Sequence, residues 1–214
     1  MGTTKIDRAR VADTALRLLN EVGLDGLTLR AIARELDVKA PALYWHFKDK
    51  QALLDEMATV MYRRMLDEEL PAPTEDTWQR QLVAYNSGLR AALLRYRDGA
   101  KVYSGARFTG TDHAEGLETH LRTMVGAGFE LRQAVRAGIT AYSYTMGFVT
   151  EEQGVQPMPD ERREGFDIAE RAQRMERFPL AAAAGAEIFA GYDDRFEDGL
   201  WTIVAGIEAR YGVR

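Results

Sequence analysis

A chain of 214 residues, 46% hydrophobic and 29% charged, can bury one or two compact cores, and its lack of cysteine excludes a disulfide framework, a thiolate metal site and a cysteine nucleophile. No apolar run approaches the ~20 residues of a membrane helix, and residues 1–22 alternate charged with apolar side chains where an export signal would be uniformly hydrophobic, so a cytoplasmic protein with no membrane partner is expected. The net charge of −5 is unevenly spread, +2 on residues 1–50 and −7 on residues 51–214, which points to a small basic part facing an anionic polymer and a larger part with a different partner.

Six prolines against many Ala, Leu, Arg and Glu favour helix throughout, and an all-α fold is expected. Residues 7–22 place Val11, Ala15, Leu18, Leu19 and Val22 at helical spacing, with Gly23 as the C-terminal stop. After a turn at Leu24-Asp25-Gly26, Thr28 can N-cap a short helix over 29–36, in which Ala31, Ile32 and Ala33 allow close packing. Asp37-Val38-Lys39 separates it from a third short helix, which starts near Ala40, has Pro41 in its first turn and runs through Phe47. Asp49 caps a fourth helix reaching about Leu66, with Leu54, Met57, Met61 and Met65 on one stripe, and Leu70-Pro71-Ala72-Pro73 ends that region as an extended connection. Further helices are expected over 78–95, 112–126, 131–153, 178–190 and 196–211, with a polar loop around Pro157 and Pro159 over 154–165.

Two short helices behind a supporting helix have the dimensions of a helix-turn-helix, although the periodicity alone also fits a small bundle. The third helix tips the balance. Lys39, Tyr44, Trp45, His46, Lys48 and Lys50 form a basic and aromatic run. Cationic heads neutralise phosphates, while aromatic and imidazole side chains reach the backbone or base edges, and a buried helix would not carry that load.

Leu27-Thr28-Leu29-Arg30, followed by Pro41-Ala42-Leu43-Tyr44-Trp45-His46-Phe47-Lys48-Asp49-Lys50, resembles the DNA-binding domain of the tetracycline-repressor (TetR) family. A second stretch, Ala92-Leu93-Leu94-Arg95-Tyr96-Arg97-Asp98-Gly99-Ala100-Lys101-Val102, resembles the segment that enters the drug pocket of the tetracycline repressors. The similarity is visible from about Asp7 to Glu151. The layout expected is a helix-turn-helix domain over 1–50, a connecting helix over 51–70 and a helical ligand-binding and dimerisation domain over 71–214.

The resemblance implies a homodimer whose two heads enter successive major grooves of a palindromic operator, ~34–36 Å apart on B-DNA. It also implies a ligand in the helical core that changes their separation. Carried over position by position, Arg30, Ala40, Pro41 and Ala42 stand where bases are read, with Lys39 beside them. Thr28, Tyr44, Trp45, His46 and Lys50 stand mainly at phosphate-contacting or supporting positions. Arg30 suits a bidentate pair with guanine, a contact worth ~1–3 kcal/mol of discrimination. The tetracycline repressors have a Gln at Ala40, a Thr at Ala42 and an acid at Lys39, so a different operator sequence is expected. Asp37 replaces a turn glycine found in many members, and Asp visits left-handed backbone more readily than most residues.

The same resemblance places Tyr103, Leu66 and Tyr85 where the tetracycline repressors carry a magnesium-ligating His and the His and Asn that hold the drug. A phenol must ionise from a pKa near ~10 to ligate well, and Leu66 can neither donate nor accept. Glu151 aligns with an acid that supports the metal's water shell, but one carboxylate is not a magnesium site. No cofactor is expected, and magnesium-tetracycline least of all. The candidate pocket is lined by Leu66, Tyr85, Leu89, Tyr103, Arg107, Phe108, His120, Leu121, Tyr142 and Met146, a mixture suited to a planar amphipathic effector such as an antibiotic or aromatic metabolite. Arg107 either meets an anionic or carbonyl group or is a solvated surface residue.

Other residues invite plainer roles. His46 is expected to touch DNA or cap a helix, His113 to lie at the surface, and Trp78 and Trp201 to fill core or interface space. Part of the cluster Tyr142, Tyr144, Met146 and Phe148 belongs to core, pocket or dimer seam. Ala134, Gly138, Ala141 and Thr145 form one row of small residues, and Gly199, Ile203, Gly206 and Arg210 nearly another. Such rows suit intramolecular packing or, as the resemblance implies, a four-helix dimer seam. No Gly-rich phosphate loop, metal cluster or nucleophile-base pair can be read, so the protein is not expected to be an enzyme. The leading expectation is a ligand-responsive repressor; the alternative is a helical small-molecule-binding or enzymatic protein whose head is unused.

Overall fold

The computed structural model describes residues 7–68 and 77–213. Among them are eleven α-helices and no strand, and no helix is long and apolar enough to cross a membrane. The Leu70-Pro71-Ala72-Pro73 connection lies outside the described residues. Two compact units can be distinguished, one gathering residues 7–68 with Gly88–His120, the other residues 77–87 with 121–213.

In the first unit, α1 (Arg8–Gly26) starts where the Asp7 carboxylate accepts the Arg10 amide at 2.8 Å. It packs on α4 (Lys50–Glu68) and buries Val11, Ala12, Ala15, Leu16, Leu18 and Leu19. Val22, expected on that stripe, is exposed. Gly23 breaks the helix with φ +69°, a conformation glycine reaches without a Cβ penalty, and one more turn to Gly26 is closed by the Leu27 amide donating to the Gly23 carbonyl at 3.1 Å. Thr28 caps α2 (Leu29–Glu35) by accepting the Ala31 amide at 3.1 Å, and Asp37 makes the left-handed turn at φ +54°.

The third helix, α3 (Ala40–Tyr44), is shorter than expected. The amides of His46 and Phe47 both return to the Leu43 carbonyl, at 3.0 and 2.9 Å, which turns the chain and drops Phe47 into the core. Asp49 caps α4 through the Ala52 amide at 2.8 Å. The buried stripe of α4 is Leu53, Met57, Met61 and Met65, a strict i, i+4 row. Leu54, expected on it, stands one position round the helix and is half-buried.

α5 (Trp78–Leu94) and α7 (Asp112–Gly126) each contribute to both units, and between them lies α6 (Gly99–Tyr103), a five-residue helix packed on α4 that periodicity could not have revealed.

The second unit is built on α8 (Leu131–Val155), which packs against α11 (Tyr192–Tyr211). Its core gathers Trp78 and Leu82 of α5, Met124 of α7, Phe129, the α8 alanines Ala134, Ala137 and Ala141, and Phe196, Leu200, Val204 and Ile207 of α11. Trp78 meets Phe129 edge-on at 5.0 Å, whereas Trp201 is partly exposed. Ala134, Ala141 and Thr145 are buried within the unit, so three positions of the first small-residue row serve intramolecular packing and are not available to a dimer seam. The Thr145 hydroxyl lies 2.8 Å from Asn86 Oδ1 and 3.0 Å from the Ala141 carbonyl, and Asn86 Nδ2 donates to the Leu82 carbonyl at 2.8 Å. A buried polar pair of α5 and α8 is thereby satisfied.

Gly199 also packs inside the unit. Tyr144 crosses above it, stacked on Phe196 at 5.5 Å, with its hydroxyl donating toward the Arg195 and Phe196 carbonyls at 3.2 and 3.3 Å. The loop expected over 154–165 is present over 156–167, between the end of α8 and α9 (Ile168–Arg174), a seven-residue helix capped by Asp167 and unanticipated. α9 packs with α10 (Pro179–Phe189), an almost wholly apolar helix of which only Gly185 is buried.

Candidate nucleic-acid interface and ligand-binding residues

The turn from α3 into α4 determines which side chains face outward. Trp45 is 89% exposed and Tyr44 53% exposed, although a Trp and a Tyr are seldom left so open without a function. Thr28, Arg30, Lys39, Pro41, Lys48 and Lys50 are exposed as well, while Ala40, Ala42 and His46 are half-buried. Thr28 uses its hydroxyl oxygen for the α2 cap. Lys50 donates from Nζ to the Leu24 carbonyl at 2.8 Å, which ties the start of α4 to the turn after α1 and leaves two ammonium protons outward.

What stiffens this surface was not legible in the sequence. Arg8 reaches the His46 carbonyl from Nη1 at 2.6 Å, pairs with Glu56 through Nε and Nη2 at 2.8 and 2.6 Å, and lies 4.5 Å over the Phe47 ring. One guanidinium thus binds α1, the end of the α3 turn and the buried carboxylate of α4. Its partners lie 38 and 48 residues away, and no local pattern announces them. Because Trp45 makes so little contact of its own, Trp45→Ala is expected to change stability by no more than about 0.5 kcal/mol. DNA affinity should fall at least about tenfold, the effect of one lost contact of ~1.4 kcal/mol. Thermal melts and fluorescence-anisotropy titrations with operator DNA separate the two.

The residues expected to bind an effector fall on both units. In the first, Tyr103 is buried with its ring edge-on to Phe108 at 5.5 Å, and Phe108 also meets Tyr62 at 5.1 Å and His113 at 5.2 Å. His113 is therefore not the surface residue expected: it is half-buried, and its Nδ1 has neither solvent nor a hydrogen-bond partner. It went unnoticed because the residues around it are polar, and Phe108 reaches it from across a loop. His120 Nε2 is likewise buried without a partner, and burial lowers its pKa, so the imidazole is neutral at physiological pH. Burial, then the charges of Asp112 and Glu115, push the Tyr62 phenol up. Leu89 is buried and Leu66 half-buried; Arg107 is exposed, and its backbone amide donates to Asp55 Oδ1 at 3.1 Å. In the second unit, Met146 is buried, Tyr85 and Tyr142 are half-buried, and Leu121 packs on the core. Burial raises the Tyr142 phenol pKa. Glu151 is exposed, and among the described residues no three imidazole or carboxylate groups converge to hold a metal.

Within the first unit a polar corner joins α1 to the α5–α6 connection. Asn20 donates from Nδ2 to the Arg95 carbonyl at 3.1 Å and accepts the Arg97 amide at 2.9 Å, while Arg97 Nε returns to the Asn20 carbonyl at 2.9 Å. Asp98 Oδ2 accepts the Leu24 amide at 2.9 Å, directly after the Gly23 break, and Oδ1 accepts from Lys101 at 2.7 Å. The end of α1 is thus tied by hydrogen bonds to the segment that leads to Tyr103.

Comparison with known proteins agrees with this anatomy. The family pattern for bacterial regulatory proteins of the tetR family matches residues 11–57, and that of the tetracyclin repressor-like C-terminal domain matches residues 70–211. The chain is 40% identical over 211 residues to the tetracycline repressor protein class A from transposon 1721 of Escherichia coli, covering 97% of this chain and 93% of that one. Among solved structures, a possible TetR family transcriptional regulator from Streptomyces coelicolor A3(2) superposes with a TM-score of 0.79 at 36% identity, covering 95% of this chain and 99% of that one. A class A TetR in complex with 5a,6-anhydrotetracycline and magnesium superposes with a TM-score of 0.65 at 37% identity, covering 94% and 97%. With both family patterns matched in order and a full-length relative at that identity, the chain belongs to the TetR family of bacterial transcriptional regulators.

Proposed function

We propose that the protein is a homodimeric repressor that holds a palindromic operator and leaves it when a small organic molecule binds among its core helices. The observation that carries the DNA-binding half is the exposed Tyr44–Trp45 pair beside Arg30 and Lys39, on a surface stiffened from beneath by Arg8. Its full-length relatives are named as repressors, which favours regulation over catalysis. Support for a second copy comes from α8, where Leu131, Val135 and Ile139 stand at i, i+4 and i+8 and are 60%, 48% and 55% exposed. An apolar stripe of that kind is seldom left to water. Release follows if the ligand binds the conformer that cannot hold DNA more tightly than the one that can; equal affinity would shift nothing.

The effector suited to Leu66, Leu89, Tyr103, Phe108 and His120 of the first unit, with Arg107 nearby in sequence, is a planar amphipathic molecule, antibiotic-like or an aromatic metabolite. Rings supply stacking area, and the neutral His120 imidazole can donate or accept. Magnesium does not fit these residues: Tyr103 is a buried phenol packed on Phe108, and Leu66 offers no ligand atom. The class A relative's magnesium chelate is therefore not carried over.

Binding to the DNA flanking the protein's own gene, measured at several salt concentrations, tests the regulator. Specific, steeply salt-dependent binding is expected. Tyr44→Phe should weaken all sequences alike, whereas Arg30→Ala should relax base preference at one position by about tenfold, within the ~1–3 kcal/mol of a bidentate contact. Identical profiles for the two variants would refute that division of labour. Anhydrotetracycline should release DNA no better with magnesium than without it; magnesium-dependent release would overturn the ligand assignment.

A further inference from the structure

Tyr44 and Trp45 are so open that contacts of their own side chains cannot fix them, and their placement is set by the backbone that carries them. That backbone leaves α3 at Tyr44, where the Leu43 carbonyl accepts the amides of both His46 and Phe47. The His46 carbonyl, next to Trp45 and outside any helix, takes its hydrogen bond from Arg8 at the start of α1. Arg8 is itself fixed. Its Nε and Nη2 both rest on Glu56 Oε2, at 2.8 and 2.6 Å, and its guanidinium lies over the Phe47 ring, a fully buried anchor of the same turn. Glu56 is only 7% exposed, and a carboxylate kept that dry needs a cation beside it. Among the described residues Arg8 is that cation.

An arginine on a DNA-binding head can meet a phosphate with its charge, or it can hold another group with its hydrogen bonds. The geometry favours the second role. Glu56 offsets the Arg8 charge at contact distance, and Nη1, the nitrogen not on Glu56, is turned to a backbone carbonyl at 2.6 Å. A contact surface ordered before binding spares the entropy of ordering it on DNA, and the saving appears as affinity. We propose, on the DNA-binding reading above, that Arg8 and Glu56 are positioning residues for DNA recognition: Glu56 orients Arg8, Arg8 holds the His46 carbonyl, and Tyr44 and Trp45 are thereby presented to the DNA in one arrangement.

The test is anisotropy titration of the full chain with a labelled duplex carrying the DNA that flanks the protein's own gene. Arg8→Lys keeps the charge but not the planar fork, and should weaken binding about tenfold, the effect of one lost contact. Glu56→Gln keeps an acceptor oxygen but removes a negative charge from the head. Charge alone would then tighten DNA binding, whereas loss of positioning should weaken it about threefold. On a Trp45→Ala chain, Arg8→Lys should cost less than about threefold, because a side chain it positions is gone; a general loss of folded protein would instead multiply with the Trp45 effect. Arg17→Lys, which loosens the tie from α1 to Glu35 of α2, should leave affinity unchanged. Full affinity in Arg8→Lys, tighter binding by Glu56→Gln, an undiminished loss on the Trp45→Ala chain, or an equal loss with Arg17→Lys would each overturn the assignment. If the parent chain binds no DNA, the regulator reading falls as well; if the parent binds and these variants match it, only the positioning role falls.

Discussion

A single methyl group at residue 99 is expected to destabilise the protein by about 3 kcal/mol, the upper range for overpacking a closed site. Gly99 opens α6 directly against the end of α5, and a Cβ built there would sit inside the contact radius of the Leu93 carbonyl. The obstacle is backbone, which cannot swing aside like a side chain. Its neighbours are fixed too: Asp98 adopts φ +57°, and the Gly99 amide donates to the Tyr96 carbonyl at 2.9 Å. Moving residue 99 therefore pulls on Asp98 and Arg97, and through them on the Leu24 amide and Asn20. For a chain of this size, Gly99→Ala should lower the melting temperature by roughly 6–12 °C. Asn20→Ala, which empties the same corner without a clash, should cost less, about 1–2 kcal/mol for lost hydrogen bonds. A variant as stable as the parent would show that the corner yields freely.

The same corner has a pH signature. Burial pushes the Asp98 carboxyl up, but the hydrogen bonds from Lys101 and the Leu24 amide, with the charges of Lys101 and Arg97, outweigh it and hold the carboxyl below its usual value. A depressed folded-state pKa contributes stability that is complete above the unfolded value near ~3.9 and is lost as pH falls through the folded one. Denaturant midpoints of Asp98→Asn should therefore be lower than the parent's at pH 7 and approach them below about pH 4.

Two helix starts were legible because their chemistry is local: Thr28 and Asp49 each accept an amide three residues on, as their types and positions promise. The exposed face of the head was legible for a related reason, since a run as basic and aromatic as that around Trp45 has no place in a core. What escaped had no short-range signature. α9 buries none of its residues, so no apolar period marks it, and α6 is only five residues long. The shift from Leu54 to Leu53 depends on which neighbour α4 meets, because Leu53 and Leu54 precede Met57 by four and three residues and either spacing lies on one helix face. Arg8 and Asn20 act through partners distant in sequence, and the buried nitrogen of His113 is known only once Phe108 lies against it.

Rows of small residues are the hardest pattern to interpret, because the same spacing serves a partner in the chain or a partner molecule, and two glycines of α11 separate the cases. A Cβ on Gly199 would overlap the Tyr144 hydroxyl and the ring carbon that bears it, whereas Gly206 has nothing within 4 Å. Tyr144 has little room to retreat: its ring is stacked on Phe196 and tilted against Phe148 at 5.7 Å, and its hydroxyl is directed at the first turns of α11. Gly199→Ala must therefore displace an aromatic side chain from the α8–α11 contact, at an expected cost of about 2–3 kcal/mol, and shift the denaturant midpoint without changing its slope. At Gly206 the helix propensity of alanine should dominate and raise single-chain stability by up to ~1 kcal/mol. If the second copy closes on that face of α11, however, Gly206→Ala should weaken self-association in sedimentation experiments while the folded chain gains stability. Loss of dimer with Gly199→Ala alone, at unchanged stability, would place the seam on the other glycine and reverse the assignment.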